Sequence, residues 1–190
     1  MTPVHILPLG GARLELLERV IPSVEQKIHR STLLREIDFD TEQFYDDERS
    51  QYNSTKILLH LRQRYAGAGE NDDARAIAVV PFDLYIPILT YVFGEAEVNG
   101  RVAVVSSYRL APERYGLAPD ANLFQSRFLK EILHELGHVF GLLHCISQEC
   151  VMHSSSYVEE IDLKGDGFCE SCAAILEGNS SPGHEASVAW

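Results

Sequence analysis

Residues 134 to 144 concentrate side chains that bind metal ions and transfer protons. Within these eleven residues, three histidines and one glutamate interrupt an otherwise apolar run. His134 and His138 are four residues apart, so in a helix their side chains stack on one face. Glu135 lies about 60° round the helix from His138. Two imidazoles can therefore bind one ion while the carboxylate reaches a water molecule bound to it, which is the arrangement of a hydrolytic zinc site.

Two protein ligands leave a zinc site incomplete, and His144 is the candidate for the third. In a straight helix, His144 would lie about 9 Å beyond His138 along the axis. Gly141 lies between them, and glycine adopts positive φ without strain, so the helix can end there and the chain can turn back. We therefore expect His134, His138 and His144 to bind one zinc ion. Glu135 would be the general base that takes a proton from the attacking water.

The full pattern H-E-x-x-H-x-x-G-x-x-H is far more restrictive than H-E-x-x-H alone, which also occurs by chance in polar helices. It resembles the signature of the metzincins, which place a methionine in a turn beneath the metal. Met152 follows His144 by eight residues and is the expected residue of this Met-turn. The alternative is a methionine that only fills the core.

The four cysteines all lie in the last quarter of the chain, in two close pairs. These pairs are Cys145 with Cys150, and Cys169 with Cys172. Four thiolates suit a closed structural zinc site, whereas disulfides and unbound buried thiols are the alternatives. Successive side chains of an extended segment point to opposite sides. We therefore expect Cys145 to point away from the catalytic ion, so that the second zinc anchors the loop carrying His144.

Both sets of residues together resemble the archaemetzincins, a family found in archaea and vertebrates. The match is carried by HELGHVFGLLHCISQECVM and FCESC, and it extends more weakly upstream through DLYIPILTYVFGEAEVNGRVAVVSSYRL. The resemblance implies a zinc-dependent metallopeptidase with one catalytic and one structural zinc ion. It assigns the general base to Glu135 and the catalytic zinc to His134, His138 and His144. It assigns the structural zinc to Cys145, Cys150, Cys169 and Cys172.

The fold is expected to be a single metzincin-like domain of the α/β (α+β) class, because 190 residues suffice for one substantial core. Residues 1–143 would form an N-terminal subdomain, in which helices pack on a mixed twisted sheet and the last helix carries the active site. Residues 144–190 would form a small irregular C-terminal subdomain with the Met-turn and the four-cysteine zinc site. Residues 66–74 read as a linker, and residues 178–190 read as a loose tail.

Two elements are predicted near the expected site. Asn99-Gly100 indicates a hairpin turn between strands near residues 91–98 and 101–107. A long helix is expected over about residues 120–142. In metzincins an exposed edge strand lies above the zinc, and this hairpin is the candidate for it. A peptide could bind there as an extra strand, although the hairpin could also be purely structural.

Other residues near the motif have weaker signals. Glu95 and Glu97 could attract a basic or amino-terminal substrate group, although a solvated strand face is the simpler interpretation. Some metzincins carry a tyrosine two residues after the methionine, where this chain has Ser154. Tyr157 is displaced from that position, and His153 is another candidate donor, so the group that stabilises the oxyanion stays open. Zinc alone could do this.

Composition narrows the classes of partner. A formal net charge of -12 disfavours nucleic acid and anionic membranes. No apolar run approaches the roughly 18 residues of a membrane span, and no secretory signal is recognisable. We therefore expect a cytoplasmic monomer that acts on peptides or small proteins. The alternative is a zinc-stabilised peptide-binding or regulatory protein with weak or no proteolytic activity. Glu135 favours the enzyme, because a metal-binding scaffold has no use for a base.

Overall fold

The computed structural model describes residues 2–66 and 74–178. The predicted linker, apart from its two end residues, and the predicted tail beyond its first residue lie outside the described residues. Among the helices described, none combines the length and the hydropathy that crossing a membrane requires.

The centre of the fold is a five-stranded mixed sheet. The strands of the chain are β1 (Val4–Pro8), β2 (Thr32–Leu34), β3 (Tyr45–Asp46), β4 (Gln51–Asn53), β5 (Arg75–Val80), β6 (Leu84–Tyr85), β7 (Gly94–Ala96) and β8 (Val102–Ser106). The large sheet has the order β2-β1-β5-β8-β7, and the short strands β3, β4 and β6 form a second sheet. All neighbours in the large sheet are parallel except β7, which pairs antiparallel with β8 and forms one edge.

Helices cover both faces of the large sheet. The helices of the chain are α1 (Leu14–Ile28), α2 (Ser54–Ala66), α3 (Ala121–Val139), α4 (Val158–Leu163) and α5 (Glu170–Leu176), of which α1, α2 and α3 pack on this sheet. Strand β5 is buried on both faces, which requires apolar side chains on both faces. Ile77 and Val79 pack towards α1 and α3, whereas Ala78 and Val80 pack in the core beneath α2. This three-layer arrangement of helices and mixed sheet confirms the predicted α/β (α+β) class.

Helix α3 is buried along most of its length. The Asp120 side chain caps it by accepting hydrogen bonds from the amides of Asn122 and Leu123, both at 2.9 Å. From residue 127 to residue 139, every side chain except Leu129 is buried. The helix ends at Val139, three residues before the predicted end, and the chain then changes direction.

Buried charges fasten the C-terminal segment to α3. Arg127 donates two hydrogen bonds to the Asp162 carboxylate, at 2.7 and 2.6 Å. Lys164 and Glu131 form an ion pair at 2.9 Å, with both side chains almost fully buried. Lys130 Nζ donates to a carbonyl of α4 at 2.9 Å. Because an unpaired buried charge is costly, these contacts hold α4 in a fixed position against α3.

We predict that Asp162→Ala lowers the free energy of unfolding by about 3 kcal/mol, because the Arg127 guanidinium stays buried without its partner. Asp166→Ala is the matched control, since Asp166 pairs with Lys27 at an exposed site and should cost less than about 1 kcal/mol. Urea unfolding of both variants measures the difference. Equal losses would show that the buried pair does not fasten α4.

Candidate active site and cysteine cluster

The chain reverses direction at Gly141. This residue has φ 93, and its amide donates to the His138 carbonyl at 2.9 Å. The Leu142 amide donates to the Gly137 carbonyl, also at 2.9 Å. These two bonds form a Schellman motif, in which glycine supplies the positive φ that ends a helix. The reversal brings the ring of His144 within 4.9 Å of the His138 ring, measured between centroids.

The three imidazoles converge, with one ring nitrogen of each within 4.8 Å of the others. His134 Nδ1 lies 2.9 Å from the Val151 carbonyl, and His138 Nδ1 lies 2.8 Å from the Leu142 carbonyl. A carbonyl only accepts, so both Nδ1 atoms carry the proton and both Nε2 atoms present lone pairs. The two Nε2 atoms are 3.1 Å apart. Facing lone pairs repel each other unless a cation binds between them, so this donor set fits a metal ion.

Burial keeps these imidazoles neutral. It lowers the pKa of His134 well below the usual range and, to a smaller degree, the pKa of His138. Burial, and then the neighbouring His138, lower the pKa of His144 to about 4. The charge of Lys164 acts on all three histidines in the same direction. Neutral imidazole is the form that binds a metal, so the cluster is in its binding form at neutral pH.

Glu135 lines the same cleft as the three histidines. Its side chain is almost fully buried. Burial, and then the neighbouring Glu131, raise the pKa of Glu135 well above its usual range, while Lys164 acts in the opposite direction. A carboxylate with a raised pKa binds a proton more strongly than an exposed one does, which is a property of a general base.

The cleft above these residues has a volume of about 630 Å³. Strand β7 forms one wall, and residues 154–157 contribute to another. In the register of β7 with β8, the backbone groups of Phe93, Glu95 and Glu97 point towards β8 and form hydrogen-bonded pairs with it. By the alternation of an antiparallel ladder, the backbone groups of Gly94 and Ala96 point to the open edge. Within the described part of the chain, this edge of β7 pairs with no other strand, and it lies beside the histidines in the cleft.

The predicted hairpin joins β7 to β8, although its strands are shorter than expected. Asn99 has φ 53, and its amide donates to the carbonyl of His138 at 2.9 Å. A Cβ atom built on Gly141 would be in ordinary van der Waals contact with the Asn99 side chain. The turn thus satisfies a carbonyl at the end of α3 and fixes the edge strand relative to the histidine helix.

Glu95 and Glu97 are bound within the protein. The Ser54 and Thr55 hydroxyls at the start of α2 donate to Glu95, at 2.5 and 2.9 Å. Glu97 accepts from the Arg101 amide at 3.3 Å. Both carboxylates therefore have structural partners, which favours a structural role over recognition of a substrate amine.

The segment after His144 returns beneath α3. Met152 is fully buried, and its sulfur fills the space that a side chain on Gly137 would need. This is the position expected of a Met-turn. Of the three candidate oxyanion donors, Ser154 and Tyr157 line the cleft, whereas Nδ1 of His153 donates to the Cys145 carbonyl at 3.0 Å.

The four cysteines form a second cluster, with their sulfur atoms all within 4.8 Å of one another. None of them is in a disulfide. A hydrogen bond from Cys172 lowers the pKa of Cys150 to about 5, and the same bond raises the pKa of Cys172. The cluster has the donor atoms of a structural zinc site. Cys145 follows His144 directly, and its amide donates to the Met152 carbonyl at 2.9 Å, so the two clusters share one stretch of backbone.

The model of Peptidase family M54 matches residues 16–178. The archaemetzincin of Methanocaldococcus jannaschii is 36% identical over 174 residues, which cover 92% of each chain. The archaemetzincin of Pyrococcus horikoshii is 43% identical over 141 residues, 74% of this chain and 73% of the relative. The crystal structure of the archaemetzincin of Methanopyrus kandleri has a TM-score of 0.79 at 34% identity and covers 94% of both chains.

The fold, the relatives and the two clusters, which could bind two zinc ions, define a zinc metallopeptidase. The chain belongs to peptidase family M54, the family of the archaemetzincins.

Two charged residues near the site were missed by sequence reasoning. Glu131 lines the cleft and precedes Glu135 by one helical turn, so its spacing on α3 was an available signal. Lys164 lies almost fully buried against Glu131. Nothing in the motif indicates Lys164, because it reaches the site only through the position of α4.

We predict that Gly141→Ala lowers stability by about 1 to 3 kcal/mol through backbone strain and also weakens zinc binding by the histidines, since His144 is displaced. Gly178→Ala is the matched control. Gly178 also has positive φ and open space around it, but it follows α5, far along the chain from the histidines. It should lose stability without losing zinc affinity. Zinc titration of both variants against a chelator is the measurement, and equal affinities would contradict the proposed role of the turn.

Proposed function

We propose that the chain hydrolyses peptide bonds with Glu135 as general base. The catalytic zinc would be held by His134, His138 and His144. The structural zinc would be held by Cys145, Cys150, Cys169 and Cys172. The observation that carries the proposal is the close approach of two unprotonated Nε2 atoms beside a buried carboxylate. An arrangement of this kind is unfavourable unless an ion and a reacting water are to be bound there.

The protein groups divide the chemistry among them. When bound, zinc supplies a Lewis acid that polarises the substrate carbonyl and lowers the pKa of water. Glu135 takes a proton from the water as its oxygen bonds to the carbonyl carbon. Glu135 then gives this proton to the amide nitrogen as the carbon–nitrogen bond breaks. Protons therefore balance, and the carboxylate is regenerated. Ser154 and Tyr157, which line the cleft, are the candidates for hydrogen bonds to the oxyanion.

The substrate is proposed to bind as an additional antiparallel strand on β7. The outward amides and carbonyls of Gly94 and Ala96 would pair with its backbone, which gives affinity without selecting a side chain. Such binding lays the peptide across the cleft between β7 and the histidines. Exposed apolar side chains at the rim, among them Ile88 and Tyr157, would contact its side chains.

We further propose that residues 1–143 and 144–190 work as one catalytic domain. The buried contacts between α3 and α4 support this, because they tie the second part to the active-site helix. All the proposed ligands come from one chain, so a monomer suffices. Thiols that hold zinc rather than disulfides suit a reducing compartment, and we therefore propose the cytoplasm as the location.

We predict that Glu135→Ala abolishes cleavage of a diverse peptide library, because alanine cannot accept the proton of the attacking water. Its zinc content should stay nearly unchanged. Glu113→Ala is the control, since this exposed glutamate lies outside the cleft and its loss should leave cleavage intact. Mass spectrometry of the digested library and metal analysis are the measurements. Identical product patterns from the unsubstituted protein and Glu135→Ala would leave the peptide-binding alternative.

A further inference from the structure

Glu135 lies directly against the backbone of β7. A Cβ atom built on Gly94 would lie 2.5 Å from Glu135 Oε1 and 2.7 Å from both Cδ and Cγ. Such distances are far below van der Waals contact, so any side chain at position 94 must displace the carboxyl group. The contact involves the middle of the Glu135 side chain as well as its end.

Backbone conformation does not explain the glycine at position 94. Its φ lies outside the positive region that favours glycine. Glycine in a strand is otherwise unfavourable, because it packs no side chain and costs entropy. Gly94 pairs with Val105, whose side chain faces α3 in the core. Position 94 therefore faces the active-site helix, and the missing atoms leave the space that Glu135 occupies.

The neighbouring strand positions support this reading. Ala96, two residues on and facing the same side, also has a small side chain and packs against the same core. Glu95 faces the other side and is held by the hydroxyls of Ser54 and Thr55. Rotation of the strand that moved position 94 away from Glu135 would break these hydrogen bonds to α2.

We propose that Gly94 is a positioning residue for Glu135, an inference that rests on the proposed function. The missing Cβ lets the carboxylate lie against the strand edge on which the peptide is proposed to pair. The same residue would then offer its amide and carbonyl to the substrate and set the distance between the base and the scissile bond. The missing side chain of Gly94 affects the reaction only through the position of Glu135, whereas its backbone groups are proposed to bind the substrate.

The test is Gly94→Ala, with Gly167→Ala as the matched control. A Cβ on Gly167 meets nothing closer than Lys27 Nζ at 3.8 Å. We expect Gly94→Ala to lower kcat on the order of 100-fold, the cost of misplacing a reacting group by about 1 Å. KM should change less than about threefold, because the strand edge is retained, and zinc content should be unchanged. Gly167→Ala should keep both constants.

A crystal structure of Gly94→Ala supplies a readout that does not depend on activity. The proposal expects the Glu135 carboxyl carbon to move by about 1 Å or more, a shift set by the overlap with the new Cβ. An unmoved carboxylate, or a kcat within about threefold of the unsubstituted value, would overturn it. Were the unsubstituted protein to cleave no peptide, the proposed function would fail, whereas this structure would still decide whether Gly94 positions Glu135.

If Gly94→Ala folds poorly, the double variant Gly94→Ala with Glu135→Ala tests the cause. That variant lacks the atoms that the new Cβ would meet. Recovery of folding in the double variant supports the contact between position 94 and Glu135. Failure of both variants to fold would mean that the strand requires glycine for another reason, which overturns the proposal.

Discussion

The site depends on one backbone reversal, at the end of α3. The helix stacks His134 and His138 on one face, and the Schellman motif at Gly141 returns His144 to the same point. Carbonyls of the returning chain then bind the Nδ1 atoms of the first two histidines, which leaves their Nε2 atoms free to bind an ion. The turn therefore brings the third histidine to the cluster and orients the other two, which together could hold a metal ion.

Several independent contacts hold this turn in place. The Asn99 amide of the hairpin donates to the His138 carbonyl at the end of α3, which connects the strand edge to the histidine helix. On the other side, the Cys145 amide binds the Met152 carbonyl, and Met152 fills the space beside Gly137. The cysteine cluster connects the segment after His144 to the start of α5. The exposed edge of β7, the three histidines and the cysteine cluster are thus linked through a few residues of shared backbone.

The two clusters of possible metal ligands and the fold class were predictable because their signals are local. Four-residue spacing, a glycine and paired cysteines each depend on neighbours in the chain. The buried ion pair of Glu131 and Lys164 was not predictable, because the two residues are 33 apart in sequence. Only the packing of α4 on α3 brings them together. The role of Gly94 was likewise not predictable from the sequence, because its contact with Glu135 joins a strand to a helix that is distant along the chain. The hydrogen bonds from Ser54 and Thr55 to Glu95 were not predictable either, because they also join a helix to a strand that is distant in sequence.

The most direct measurement is a crystal structure of the zinc-loaded protein, with anomalous difference maps recorded on both sides of the zinc absorption edge. Two zinc peaks are expected. One peak should lie about 2.0–2.1 Å from a nitrogen of each of His134, His138 and His144, and the other about 2.3 Å from four cysteine sulfurs. A map in which the His144 ring points into solvent, or in which no zinc lies among the histidines, would contradict it.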